Sequence, residues 1–187
     1  MRYPLLLLLI LMATSPYAAS PLHVNPTIAE AKKFCKKNGY DTSVVFLLDL
    51  SIHNGRKRFF VCDLRTGAVL TSGLVTHGSC NTRYLASVVF ANDAGCGCSS
   101  SGKYKVGAFY KGRFGDAYKL HGLDSSNSRA FDRSIVLHSH SCVPDKEIFP
   151  DQLCNSQGCT TVSPAFLKEL EAVINKKKKP VLMWVFG

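Results

Sequence analysis

The residues best suited to chemistry lie in one ten-residue stretch, NSQGCTTVSP, from Asn155 to Pro164. Cys159 follows Gly158, a residue that lets the backbone turn sharply or approach a ligand closely. It precedes Ser163-Pro164, an N-cap residue and a first-turn proline that open a helix. Backbone N–H groups near a helix start favour a thiolate and bind a developing oxyanion. A thiol also needs a base to become a good nucleophile near neutral pH. The run RSIVLHSH, Arg133 to His140, ends on His138-Ser139-His140 and so delivers two histidines to a strand end. These residue types leave three roles open for Cys159: nucleophile, disulfide partner or metal ligand.

The elements that would position these groups follow from pattern. Asn25-Pro26 opens a helix through TIAEAKKFCKKN that stops at Gly39. SVVFLLDL and RKRFFVCDL are β-rich, and Asn54-Gly55 between them predicts a tight hairpin. After a turn at Arg65–Gly67, AVLTSGLVTHG continues the meander. The Gly-, Ser- and Cys-rich stretch 79–102 reads as a long loop with one short strand at Ser87–Phe90. KYKVGAFY and DAYKLHGL are strands separated by turns at Gly112 and Gly115. Phe166, Leu167, Leu170, Val173 and Ile174 share one face of the helix after Ser163, and VLMWVF is a final strand. The fold class is mainly β: a sandwich or open barrel with two peripheral α-helices.

Length and composition bound the rest. The chain has 187 residues, which suits one domain. Hydrophobic content of 46% against 19% charged residues excludes a disordered protein. MRYPLLLLLILMATSPYAAS has the layout of a secretory signal peptide, residues 1–20, leaving one domain over 21–187. Its apolar run is too short to span a bilayer, and the mature chain has no transmembrane segment. Export to the periplasm, cell wall or medium is expected. The net charge of +10 suits an anionic polymer as partner. Nucleic acid is not expected, since no base-reading motif is present. The lysine run in NKKKKP, Asn175 to Pro180, sits at a helix C-terminus, where cations suit the dipole.

IVLHSH followed by NSQGCTTV resembles the His…Ser-x-Gly-Cys signature of L,D-transpeptidases of the YkuD type, closest to the murein L,D-transpeptidase catalytic domain branch. FFVCDLRTGAVL, VTHG, SGKYKVGAFYKGRFGDAYKLHGLD and NSRAFDRSIVLHS extend the resemblance, in order, from Ser43 to Phe166. The resemblance implies a YkuD-like β fold acting on peptidoglycan stem peptides within an anionic cell-wall polymer, with no cofactor. It implies that Cys159 attacks a stem-peptide carbonyl and that His138 serves as base and then acid. It assigns the Ser139 carbonyl to orienting the imidazole and the Gly158 and Cys159 N–H groups to the oxyanion. An amine acceptor makes the enzyme a transpeptidase; water makes it a carboxypeptidase. Ser156, Gln157, His140, His121 and Tyr104 are the candidate substrate contacts, and His140 is a rival base. Gln157 and Thr161 stand where many members have His and Arg or Asn.

Eight cysteines in an exported chain point to disulfides. Cys142 with Cys154 is expected to close the loop between the histidines and Cys159. Cys80 is expected to pair with Cys96 or Cys98. Cys62, within an apolar strand, suits a buried free thiol. A zinc site from His77, Cys80, Cys96 and Cys98 has the right ligand types, but CGC lacks the usual spacing, and no metal is expected. Two readings from other classes compete: a catalytically silent peptidoglycan-binding module, and a disulfide-stapled secreted protein with no free thiol.

Overall fold

The computed structural model describes residues 24–187, with side chains from Thr27 onward. The expected signal peptide lies outside the described residues. Among the described residues no helix is long and apolar enough to cross a membrane. The elements run α1 (Val24–Asn38), β1 (Val44–Asp49), β2 (Phe59–Asp63), β3 (Val69–Gly73), β4 (Gly102–Gly112), β5 (Gly115–Gly122), β6 (Val136–Ser139), β7 (Thr160–Val162), α2 (Pro164–Ile174) and β8 (Leu182–Phe186). The strands form one eight-stranded sheet in the order β3-β2-β1-β8-β4-β5-β6-β7. β1–β8 and β6–β7 are parallel, and the remaining neighbours are antiparallel.

Burial explains the pattern of each strand. β1 is buried at all six positions, and its first five, Val44–Leu48, read as an unbroken apolar run. Its Phe46 and Leu48 join Phe59, Leu120, Leu137 and Met183 on the inner face, where α2 contributes Phe166, Leu167 and Leu170. Its Val45 and Leu47 face the other way, against Ile28, Ala31 and Cys35 of α1. Register carries this outer face across the sheet: Val45 lies beside Leu182, Leu182 beside Lys105, Lys105 beside His121. Two residues along β5 from Lys119, Ala117 lies beside His138. His138 therefore stands on the same side of the sheet as α1, over the strands that α1 leaves uncovered.

Two connections differ from the sequence expectation. Asn54-Gly55 does turn the chain, with Arg56 N–H donating to His53 C=O at 2.9 Å, but β1 and β2 are joined by a nine-residue connection, 50–58. The pair is there to dock another loop. Asn54 Oδ1 accepts from Leu153 N–H at 3.2 Å, and Gly55 C=O accepts from the Ile148 and Phe149 N–H groups. A Cβ on Gly55 would lie 2.2 Å from the Asp151 carbonyl oxygen. The stretch 87–90 forms no strand; Phe90 makes only a single bridge to Ser99.

A buried guanidinium ties this region together. Arg58, 1% exposed, donates to the carbonyls of Leu50, Ile52 and Val75 and to His77 Nδ1, the last at 2.9 Å. His77 is fully buried, and its Nε2–H donates to Leu85 C=O at 3.0 Å. Burial, with the Arg58 charge adding to it, drives the His77 pKa down to about 4. The unfolded chain therefore binds the extra proton between pH 6.5 and 4, so stability rises with pH across that window. The contribution is full above about 6.5 and is lost as pH falls toward 4. Urea unfolding should show about 3 kcal/mol of it disappearing over this range, with a flatter pH slope in His77→Gln. Asn54→Ala leaves the Leu153 N–H unpaired in the interior and should cost about 1–3 kcal/mol in the same assay.

Candidate active site

β6 and β7 pair in parallel with Leu137 beside Thr160, His138 beside Thr161 and Ser139 beside Val162. Leu137 and Val162 point into the core, so strand alternation turns His138 and Thr161 to the outer face. His138 is 5% exposed. Its Nδ1 lies 3.0 Å from the Ser139 carbonyl. A carbonyl only accepts, so Nδ1 carries the proton and Nε2 holds the lone pair of the neutral ring. Thr161 Oγ1 sits 3.1 Å from that Nε2. Burial lowers the His138 pKa from its ordinary value; the Ser139 hydrogen bond opposes this and the His140 charge adds to it.

Cys159 lies two residues before Thr161, level with Val136 in the same register. It is reached through Gly158, whose φ of +101° suits glycine. A Cβ there would lie 2.6 Å from the Cys98 carbonyl oxygen, so the turn is packed tightly against the long loop. Arg133 clamps that loop, donating to Cys98 C=O, Ala91 C=O and Ser100 Oγ. The Cys159 thiol donates weakly to Ser134 C=O at 3.8 Å. Burial raises the thiol pKa; a backbone hydrogen bond at Val136 and the Arg133 charge pull it back down. Sequence reasoning missed Arg133, although a cation three residues before the strand that carries His138 was a visible signal.

The expected help from the helix start is corrected. Ser163 does cap α2, accepting from Phe166 N–H at 3.1 Å. But β7 intervenes, and three extended residues span about 10 Å. The field of a helix end fades within its first turn, so α2 does not act on the thiol. The Gly158 N–H, expected to face an oxyanion, donates to Ser156 Oγ at 3.2 Å, and Ser156 in turn donates to Cys159 C=O.

Two cavities meet at the pair. One, of about 210 Å³, is lined by Cys159, His138, Thr161, Thr76, His140, Asn155, Ser156, Gln157 and the Cys142–Cys154 disulfide. The other, of about 160 Å³, is lined by Cys159, His138, Tyr110, Arg113 and Val136. Phe114 lines both. It sits at the tip of the β4–β5 hairpin, its ring stacked on His138 at 4.9 Å and edge-on to His140 at 5.7 Å. Its only sequence signal was an exposed aromatic between two turn glycines.

The remaining expected contacts divide. Ser156, Gln157 and His140 reach the larger cavity; Gln157 Nε2 also donates to Ser79 Oγ, and His140 Nδ1 accepts from Cys142 N–H. Tyr104 does not reach either cavity: it is 2% exposed in the core, and its hydroxyl donates to Ser100 C=O at 2.6 Å. His121 also lies away from both, stacked on Phe131 at 4.6 Å on the outer face. Cys80 bonds Cys98, and Cys96, the other expected partner, stays a thiol. Cys35, Cys62 and Cys159 are also free, so the fully paired alternative does not hold. Of the zinc ligand types, His77 is spent on Arg58 and Leu85, and Cys80 and Cys98 on each other.

The chain matches the family described as L,D-transpeptidase catalytic domain over residues 19–184. No curated protein matches it. Among solved structures it is similar to an L,D-transpeptidase from Mycobacterium smegmatis, with 14% identity, 78% of this chain and 59% of that one covered, and a TM-score of 0.45. It is similar to L,D-transpeptidase 1 from Mycobacterium tuberculosis, with 12% identity, coverage of 78% and 62%, and a TM-score of 0.42. It is also similar to the helical cell shape determining protein Pgp2 from Campylobacter jejuni, with 11% identity, coverage of 76% and 47%, and a TM-score of 0.47. The chain thus spans less than two thirds of each of these longer chains. The family match takes in nearly the whole sequence, with the β6–β7 pair, His138 and Cys159 inside it: the chain belongs to the L,D-transpeptidase catalytic domain family.

Proposed function

We propose that this chain is an exported cell-wall enzyme that transfers acyl groups of peptidoglycan stem peptides through Cys159. The observation that carries the reading is the Ser139 carbonyl on His138 Nδ1. It leaves Nε2 as the basic nitrogen, in a cavity shared with the thiol. The thiol proton passes to His138, and the thiolate attacks the stem-peptide carbonyl carbon. The oxyanion is received by N–H groups of the 158–159 turn, the Gly158 one on release from Ser156. The C–N bond then breaks, and the leaving amino acid takes its proton from His138. A thioester on Cys159 remains. An acceptor amine, or water, attacks it and gives its proton to His138 as the thiol departs. Ser156, Gln157 and His140 line the larger cavity and are assigned to substrate contact. The basic surface, net +10 over the chain, suits an anionic wall polymer.

The test uses a β-lactam as a mimic of the acyl donor. Incubation with a carbapenem should add the mass of one intact carbapenem to the protein, as the ring opens onto the thiol. Cys159→Ala should take up none, and His138→Gln should react at least tenfold more slowly near neutral pH. Wild-type protein with a reduced Cys159 and no adduct would overturn the acyltransferase in favour of a silent wall-binding module.

A further inference from the structure

The base nitrogen of His138 has a neighbour that the reaction above leaves idle. Thr161 Oγ1 lies 3.1 Å from Nε2 and is 3% exposed. Register sets Thr161 directly beside His138. Cys159 stands immediately before β7, two residues from Thr161, and all three side chains line the larger cavity. Nδ1 is committed to the Ser139 carbonyl, so the neutral ring meets Thr161 only as an acceptor. A hydroxyl can donate one proton while accepting another, which an apolar side chain of the same shape cannot.

We propose that Thr161 bridges Cys159 and His138, carrying the proton between them. The proposal rests on Cys159 as nucleophile and His138 as base. The thiol turns from the Ser134 carbonyl, its weak resting partner, and its S–H bond breaks as an O–H bond forms at Thr161. The former O–H bond of Thr161 breaks as an N–H bond forms at Nε2. Threonine is regenerated, and a thiolate and an imidazolium remain. In that state Nε2–H donates to Oγ1 and Oγ1–H donates to the thiolate, so both charges gain a charge-assisted hydrogen bond. The charged and titratable groups around the pair are Arg133 near the thiol, His140 beside the ring, and Arg113 and Tyr110 in the smaller cavity. Among the described residues lining the two cavities there is no carboxylate to take the bridging place.

The test reads thiolate formation without any substrate. Cys159 in the full chain is alkylated with iodoacetamide from pH 6 to 11, and the rate is followed on the peptide that contains it. Thr161→Val and His138→Gln should each lose at least tenfold at pH 7. Both should converge on wild type at the alkaline end, where hydroxide removes the proton unaided. Thr161→Ser should stay within about threefold of wild type, since it keeps the hydroxyl. Should Thr161→Val fail to converge, Thr161→Ala is read by the same criterion. A neutral-pH rate in the hydroxyl-free variant equal to or above wild type would overturn the bridge alone. An unchanged rate in His138→Gln would overturn the base assignment beneath it.

Discussion

The parallel pairing of β6 with β7 decides where Cys159, His138 and the Ser139 carbonyl stand relative to one another. β7 has only three residues and lies at the edge of the sheet. It is held from three sides. Val162 is fully buried in the core and makes a bridge to Val75. The Thr76 N–H donates to Thr161 C=O at 3.0 Å. Immediately after it, Ser163 caps α2, whose Phe166, Leu167 and Leu170 anchor the whole segment beneath the sheet. Burial of a side chain such as Val162 contributes about 1.5–3 kcal/mol. A one-residue slip would turn Thr161 inward and Val162 outward, so core burial enforces the register that sets Thr161 beside His138.

Around that frame the resting pair is electrically quiet. Burial favours the protonated thiol and the neutral imidazole, and Arg133, whose charge acts on the thiol, is tied down by carbonyls of the long loop. An ion pair formed here has few mobile water dipoles to help it, so fixed groups must stabilise it. The orienting group is a backbone carbonyl of the same strand. That makes the tautomer a property of the β6 backbone.

Local pattern made much of this legible. The buried strands β1 and β8, the Ser163 cap and the delivery of His138 to a strand end all follow from periodicity and capping chemistry. So does the loop closed by Cys142 and Cys154, since short loops between functional residues favour a staple. What stayed hidden depended on distant partners. Asn54-Gly55 carries the hairpin signature, but its conformation answers to Leu153 and Phe149, which no local window contains. β7 was unreadable because three residues have no period. Tyr104 was a candidate substrate contact, but its ring packs into the inner core and only its hydroxyl reaches the long loop, at Ser100. Phe114 shows its role only when β5 and β6 bring His138 beneath the hairpin tip.

The sheet has two wings, β3-β2-β1 and β4-β5-β6-β7, and β8 is the strand that joins them. One of its edges pairs with β1 and the other with β4. It is also the last strand in chain order. A growing chain can therefore make each wing as it appears but cannot close the sheet until residues 182–186 are in hand. Until then β1 and β4 present open edges, and their pairing partners lie far along the sequence, the slow kind of contact to form. The topology delays closure of the sheet, and with it the joining of the wing that carries His138 to the wing that carries α1, until β8 has been made.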